Sequence, residues 1–400
     1  MTQTHRRLME APDDLVRCPY MPTYGAPTVL FDRGAGTELW DRQGTRYLDF
    51  LCGLAVTSLG HAHPAVTAAV TEQVATLTHT SNFFATQPAT DVAVTLNQLH
   101  GGGGQVFFCS TGTEANEAAI KLARKWGGPG KYGIVSAYGS FHGRTMGSLA
   151  ATGQPEKQEP FQPLPEGFRH VAWNDVEALT NAIDPSVAAI MLEPIQGEAG
   201  VQPATREFMT AARTLCDERD LLLIIDEVQT GLGRTGTWWG YEHYGIRPDV
   251  VTMAKALGNG LPIGAVWAPA DVASVWVRGD HGTTFGAGPV PAAAARAVLA
   301  ELQAIDAPSL AARAGDRLGE ALTALPQVAA VRGHGCLLAA ELDGIEAKDV
   351  YAGALEAGLV INAPTPTSLR LAPPLNISDD HIDEGVAILA GVLDGIGPTT

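Results

Sequence analysis

Six lysines occur in the 400 residues, and one of them, Lys255, ends the apolar run Val250-Val251-Thr252-Met253-Ala254. An ammonium loses its hydration in such a place and is rarely buried without a partner. One use of a strand-end lysine is as a structural cation with its head at solvent. The other is chemical. A desolvated lysine gives up its proton readily and becomes an amine nucleophile, able to form Schiff bases with carbonyl compounds such as pyridoxal 5′-phosphate (PLP). Asp226 closes a second apolar run, Leu221-Leu222-Leu223-Ile224-Ile225. It could cap the turn that follows. It could also be the carboxylate that keeps a pyridine nitrogen protonated, the form in which PLP is a strong electron sink.

Three further patterns suit the same chemistry. In STGTEANEAAIKLAR a strand ends near Cys109, Gly112 permits a tight turn, and a helix opens near Thr113. The free N–H groups of that helix start make an anion site, with Ser110, Thr111 and Thr113 adding hydroxyls. An ordinary N-cap with Glu114 in the first turn has the same sequence appearance. In AYGSFHGRT, Phe141 offers a flat face for an aromatic ring and Arg144 a fork for a carboxylate. Arg370, in SLRLAPPL, sits among apolar residues and needs an anion. The glycines 101–104 are not followed by Gly-Lys-Ser/Thr and read as a loop, not a nucleotide cradle. His61 and His63 lack a third ligand, so no metal is expected.

These residues need a scaffold that brings strand ends together. The runs QVFFCS, YGIVSA, AAIMLEPI, LLLIID, VVTMAK and GAVWAP alternate with helical stretches such as HPAVTAAVTEQVATLTHT and TEANEAAIKLARKW. That alternation predicts an α/β fold with a mostly parallel sheet covered on both faces. Ligands of such sheets lie beyond the carboxyl ends of the strands, where Ser110, Glu193, Asp226 and Lys255 all stand. FDRGAGTELWDRQGTRYLDF reads as a two-stranded hairpin turned at Arg42-Gln43-Gly44. GQPEKQEPFQPLPEGF reads as a Pro-rich surface loop, and from about Pro291 the chain is Ala- and Leu-rich helix, then a shorter α/β mixture. The expected division is an amino-terminal segment 1–59 that belongs to a small domain, a large domain over 60–290, and a carboxyl-terminal part of the small domain over 291–400.

Composition narrows the partners. With 26 Lys+Arg against 43 Asp+Glu, the formal charge of −17 argues against nucleic acid or an anionic membrane. The polar stretch MTQTHRRLMEAPDD lacks the apolar core of a signal peptide, and runs such as LLLII are too short to span a bilayer. Five cysteines, at 18, 52, 109, 216 and 336, show no paired spacing, which suits reduced thiols in the cytoplasm.

The motifs FCSTGTEANEAAIKLAR, FHGRT, MLEPIQGEAGV, IIDEVQTGLGRTG and MAKALGNGLPIGA, in that order, resemble those of the class III PLP-dependent aminotransferases. HTSNFFAT, HGTTFGAGP and RGHGCLLAAEL extend the likeness over nearly the whole chain, and its acetylornithine branch is the nearest match. The resemblance implies the PLP-dependent transferase fold type I, aspartate-aminotransferase-like, with a large PLP domain and a smaller α/β domain, assembled as a homodimer. Lys255 matches the family's Schiff-base lysine, Asp226 the pyridinium partner and Gln229 the residue beside the phenolic oxygen. Gly112 and Thr113 match the phosphate cradle, Phe141 the ring-stacking residue and Arg144 the binder of substrate carboxylate. Thr284 matches a phosphate ligand donated by the neighbouring subunit, with Thr283 beside it near substrate. Glu198 and Arg370 match a switch pair that lets one site take an ω-amine donor and then glutamate. Where the family reads Gly-Gly-Asn-Pro, this chain has Gly286-Ala287-Gly288-Pro289.

The activity so implied is transfer of an ω-amino group, from N2-acetyl-L-ornithine to 2-oxoglutarate, as in arginine biosynthesis. Ornithine, succinyl-diaminopimelate, lysine and 4-aminobutyrate are alternative donors that these residues do not separate. A PLP racemase, aminomutase or decarboxylase, or an inactive partner subunit, are the readings from other classes. The Glu198–Arg370 pair and the intact Lys255, Asp226 and Arg144 weigh against them.

Overall fold

The expected strands assemble into one sheet because their apolar residues have two cores to enter. In the computed structural model, which describes residues 19–25 and 27–396, seven strands lie side by side. Their order is Gly104–Cys109, Gly264–Pro269, Val250–Met253, Leu222–Asp226, Val187–Leu192, Gly133–Ala137 and Phe168–Val171. Gly264–Pro269 runs antiparallel to both neighbours, and the remaining pairs are parallel. Leu223, Ile225, Val251 and Met253 enter one apolar cluster, while Leu222, Ile224 and Val250 enter another on the opposite face. This period-two sorting is why the runs are apolar throughout and do not alternate with polar residues. Helix Gly112–Gly127 covers the second face with Ala115, Ala118, Ala119, Ile120, Leu122 and Ala123. Helix Arg206–Arg219 covers the first with Phe208, Met209, Ala212, Leu215 and Cys216.

The two ends of the chain meet. The strand Leu359–Val360 pairs in parallel with Arg46–Asp49, and a separate antiparallel sheet holds Val328–His334, Leu337–Leu342 and Ser368–Leu371. Helix Pro289–Ala304 runs back across helices Pro64–Thr76 and Gln87–Leu99. One expectation needs correction here. Residues 31–49 form three antiparallel strands, Phe31–Ala35, Glu38–Asp41 and Arg46–Asp49, not a two-stranded hairpin. Gly36 supplies a positive φ of 56° for an extra reversal that a search for one hairpin turn overlooks.

A second correction concerns the Pro-rich segment. It contains one turn of helix, Pro155–Gln158, and a 3-10 turn, Glu159–Phe161, because proline at a first helical position presets the backbone. Cys52, Cys109, Cys216 and Cys336 are buried free thiols. Cys18 and the stretch 1–14 lie outside the described residues. Among the described residues no helix is long and apolar enough to cross a membrane.

Candidate active site

Asp226 and Lys255 end neighbouring parallel strands whose register sets Ile224 opposite Val250 and Asp226 opposite Thr252. The Asp226 carboxylate is buried and held on both oxygens. The Val228 N–H donates to Oδ1 at 3.0 Å, Asn116 Nδ2 donates to Oδ2 at 2.7 Å, and His142 Nδ1 lies 2.9 Å from Oδ2. A carboxylate accepts, so the last contact places a proton on Nδ1 of His142. Lys255 is held differently. Its backbone is left-handed, with φ 42°, and among the described residues its side chain makes no hydrogen bond or ion pair. Burial, and then the Arg370 guanidinium, push its amine down to about 8, against the pull of Glu198, Asp226 and Glu193. A lysine poised there is neutral in a sizeable fraction near physiological pH.

The helix that opens at Gly112 forms the far end of the site. Thr111 caps it by accepting from the Glu114 N–H at 3.2 Å, and Glu114 Oε2 accepts from the Ser110 N–H at 2.7 Å. This reciprocal cap leaves the Gly112 and Thr113 N–H groups without intrahelical acceptors, aimed outward at the positive end of the helix. Gly112 is required by close approach: a Cβ there would meet Val228 Cγ1 at 2.8 Å. The FHGRT loop folds onto the same helix start at Gly143, whose φ of 141° suits glycine and whose Cβ would lie 2.2 Å from Thr113 Oγ1.

Between these ends lies a cavity of about 560 Å³, lined by Gly112, Thr113, Phe141, Arg144, Glu193, Glu198, Asp226, Gln229 and Lys255 among others. Arg144 is exposed, 5.4 Å from the Phe141 ring centroid, and has no carboxylate partner among the described residues. Arg370 is fully buried and donates to Glu198 Oε1 at 2.6 Å and to Asn362 Oδ1 at 2.8 Å. Burial would raise the Glu198 carboxyl, but the Arg370 guanidinium, with Lys255 and Lys157 behind it, holds the group below its ordinary value. Glu193 goes the other way: burial, then the Asp226 carboxylate, push it well above the usual range, although it accepts from the Phe141 N–H at 3.1 Å. One acid is therefore favoured in its charged form by a paired cation, and burial disfavours the charge of its neighbour.

The donor set fits PLP. Asp226 could pair with a ring nitrogen, Phe141 and Val228 could cover a ring, and the Gly112–Thr113 amides could take a phosphate. Buried polar atoms without partners, Gln229 Oε1, Asn116 Oδ1 and His142 Nε2, belong to residues of the same cavity. Nine of the expected residues thus converge: Gly112, Thr113, Phe141, Arg144, Glu198, Asp226, Gln229 and Lys255 line the cavity, and Arg370 reaches it through Glu198. Thr283 and Thr284 do not. They lie on a separate face, where the Asn82 Nδ2 donates to the Thr283 carbonyl at 2.6 Å and Thr284 borders a hollow with His79, Ser81 and Gly288. Sequence reasoning missed Asn116, His142 and Asn362. Asn116 did leave a signal, a polar residue on the otherwise alanine-rich buried face of its helix.

Comparison with known proteins follows the same lines. The family described as Aminotransferase class-III matches residues 20–393. The acetylornithine aminotransferase of Corynebacterium efficiens is 48% identical over 400 residues, covering 97% of this chain and 98% of that protein. Among solved structures, the ornithine aminotransferase of Toxoplasma gondii superimposes with a TM-score of 0.93 at 32% identity, covering 99% of each chain. The N-acetylornithine aminotransferase of Stenotrophomonas maltophilia does so with a TM-score of 0.82 at 36% identity, covering 94% of this chain and 98% of that one.

Proposed function

The chain belongs to the class III aminotransferases, PLP-dependent transaminases of fold type I, and on that premise we propose that it binds PLP and transfers the ω-amino group of N2-acetyl-L-ornithine to 2-oxoglutarate. The products are N-acetyl-L-glutamate 5-semialdehyde and L-glutamate. The acyl donor is favoured by near-half identity, over almost the full length, to a protein named acetylornithine aminotransferase. The observation that carries the dual-substrate reading is the closed Glu198–Arg370 pair at 2.6 Å beside an unpaired Arg144. A donor with one carboxylate needs one cation, and glutamate needs two.

Lys255 would hold the cofactor covalently, Asp226 its ring nitrogen, Gln229 its phenolic oxygen and Gly112 with Thr113 its phosphate, while Phe141 covers its face. When bound, PLP supplies a pyridinium that draws off the electron pair left on the donor carbon. Arg144 takes the donor's α-carboxylate through two parallel N–H bonds and so points the ω-carbon at Lys255. The Lys255 Nζ would remove the proton from that carbon as general base. Glu198 keeps the Arg370 charge satisfied while the uncharged part of the donor passes it. In the second half it swings aside, and Arg370 receives the α-carboxylate of the five-carbon acid. Asn116 and His142 hold Asp226 in orientation throughout.

The reading extends to assembly and place. The chain would act as a homodimer, with Thr284 of each subunit completing its neighbour's phosphate site and Thr283 beside the neighbour's substrate. Segments 1–59 and 291–400 would form the smaller domain and 60–290 the larger, with helix Pro289–Ala304 carrying the chain between them. Buried free thiols suit a cytoplasmic setting. The test is a half-reaction screen. PLP-loaded protein is mixed with N-acetylornithine, ornithine, lysine, succinyl-diaminopimelate and 4-aminobutyrate, and the cofactor absorbance is followed. Fastest bleaching by N-acetylornithine supports the assignment; fastest bleaching by another amine replaces the donor.

A further inference from the structure

Lys157 has no role in the scheme above, yet it stands beside the substrate-carboxylate end of the site. Its Nζ lies 6.0 Å from the centroid of the Phe141 ring, the same ring that Arg144 approaches to 5.4 Å. It is half-buried on the helical turn Pro155–Gln158, where its Nζ donates to Gln154 Oε1, and no carboxylate pairs with it among the described residues. Its charge also reaches into the cavity. After burial, which raises the Glu198 carboxyl, the cations that lower it are Arg370, Lys255 and Lys157. Two cations therefore lie within 6.0 Å of the centroid of one aromatic ring that lines the cavity.

The acids of the cavity are already committed. Asp226 accepts from Asn116 and Val228 and contacts His142; Glu198 is bonded to Arg370 at 2.6 Å; Glu193 accepts from the Phe141 N–H, and burial disfavours its charge. A donor whose α-carboxylate rests on Arg144 places its α-nitrogen only two bonds from that carboxylate carbon, and Lys157 is the other cation beside the Phe141 ring that Arg144 approaches. A free α-ammonium brings a like charge and only donors to that spot, with no carboxylate left to receive it. An acylated nitrogen is uncharged, and its carbonyl oxygen accepts from the Lys157 ammonium. The α-carboxylate is common to both kinds of donor, so its attraction to Lys157 cancels in the comparison. The difference rests on the nitrogen.

We infer that Lys157 is a specificity-determining residue, which selects donors with an acylated α-nitrogen over donors with a free α-ammonium. This rests on the ω-transamination proposed above and deepens it from a reaction type to the residue that chooses the substrate class.

The test compares kcat/KM for N-acetylornithine and for ornithine in the PLP-loaded protein, in Lys157→Met and in Lys157→Arg. The methionine keeps the length of the side chain without its charge; the arginine keeps the charge. The ratio of acetylated to free donor is expected to fall about tenfold or more in Lys157→Met, which is the loss of one charge-assisted hydrogen bond, and to recover in Lys157→Arg. Calorimetric binding of N-acetyl-L-norvaline, which lacks the reacting amine, should weaken about tenfold in the same variant. A ratio unchanged by Lys157→Met, an equal fall for both donors, or unaltered norvaline binding would each overturn the inference while leaving transamination standing. Turnover of neither donor by the unsubstituted protein would instead sink the functional reading itself, and this inference with it.

Discussion

A lysine with φ at 42°, no partner, and an amine pushed down to about 8 is a strained group kept for its reactivity. Lys255→Ala should therefore abolish both turnover and the retention of PLP absorbance through gel filtration; cofactor that stays covalently attached to the variant would move the attachment elsewhere. The same shift has a sign that can be checked in the cofactor-free protein. Folding lowers the amine from its ordinary 10.5 to about 8, so the unfolded chain binds the extra proton between these values. Stability then rises with pH across that window, and the cost of the charge is present in full below pH 8. Lys255→Met should stabilise the cofactor-free protein at pH 7 by about 2 kcal/mol in urea melts, with the advantage fading by pH 10.5. Glu193 offers the converse case. Burial disfavours the charge of its carboxyl, which receives the Phe141 N–H. Glu193→Gln should keep activity nearly intact, whereas Glu193→Ala strips that N–H of its acceptor, costs about 1 kcal/mol and loosens the ring-stacking loop. Equal losses in the two variants would mean that the charge of Glu193 matters after all.

The elements divide into those the sequence declares and those only the fold can make. Six of the seven strands of the Asp226–Lys255 layer were legible because each is a mostly apolar run, and their carboxyl ends marked the site; Phe168–Val171, with Arg169 and His170 inside it, was not. The wall opposite them was not. Cys52, Gly53, Leu54 and Ala55 form a left-handed turn, with φ of 53°, 61°, 70° and 64°. Such a conformation costs about 1–2 kcal/mol for each non-glycine residue, and nothing in LCGLAV announces it. Asp49 holds the turn: its Oδ1 accepts from the Leu51 and Cys52 N–H groups at 3.0 and 2.7 Å, and its Oδ2 meets His61 Nε2 at 2.7 Å. Leu54 and Val56 then line the cavity. Asp49→Ala should destabilise the protein by about 2 kcal/mol and raise KM for every donor, because the wall itself relaxes. Unchanged KM would detach the turn from the site. The Gly286–Pro289 loop was likewise half-readable. The missing asparagine was visible, but not that Ala287 has φ 53° while Gly288, with φ −49°, caps a helix with its nearest obstacle 3.4 Å away. A residue that wants glycine and one that accepts a side chain stand in the reverse order. The double change Ala287→Gly with Gly288→Asn should stabilise by about 1 kcal/mol in thermal melts. A loss of stability would show the strain to be compensated by contacts outside one chain.

The homodimer proposed above would supply contacts outside one chain. Phe83, Phe84 and Phe285 are 85%, 71% and 69% exposed, and the hollow that Phe84 lines is bordered by Thr284, His79 and Ser81. Aromatic residues so exposed near one patch would suit the contact surface of the proposed homodimer. Thr284 sits on that patch and not in the Lys255 cavity of its own chain, which is where a residue serving a neighbour's site belongs. A two-fold dimer makes this testable by complementation, since each site then draws Lys255 from one chain and Thr284 from the other. Lys255→Ala and Thr284→Asp homodimers should both be impaired, the first completely. In the mixed dimer, the two defects fall in the same site, leaving the other site with an intact lysine and an intact threonine. Unfolding and refolding an equimolar mixture should therefore regenerate roughly a quarter of the unsubstituted activity, because half of the dimers are mixed and each has one sound site. If both residues instead served their own chain, every site in the mixture would carry one defect, and no activity would return above the sum of the parents.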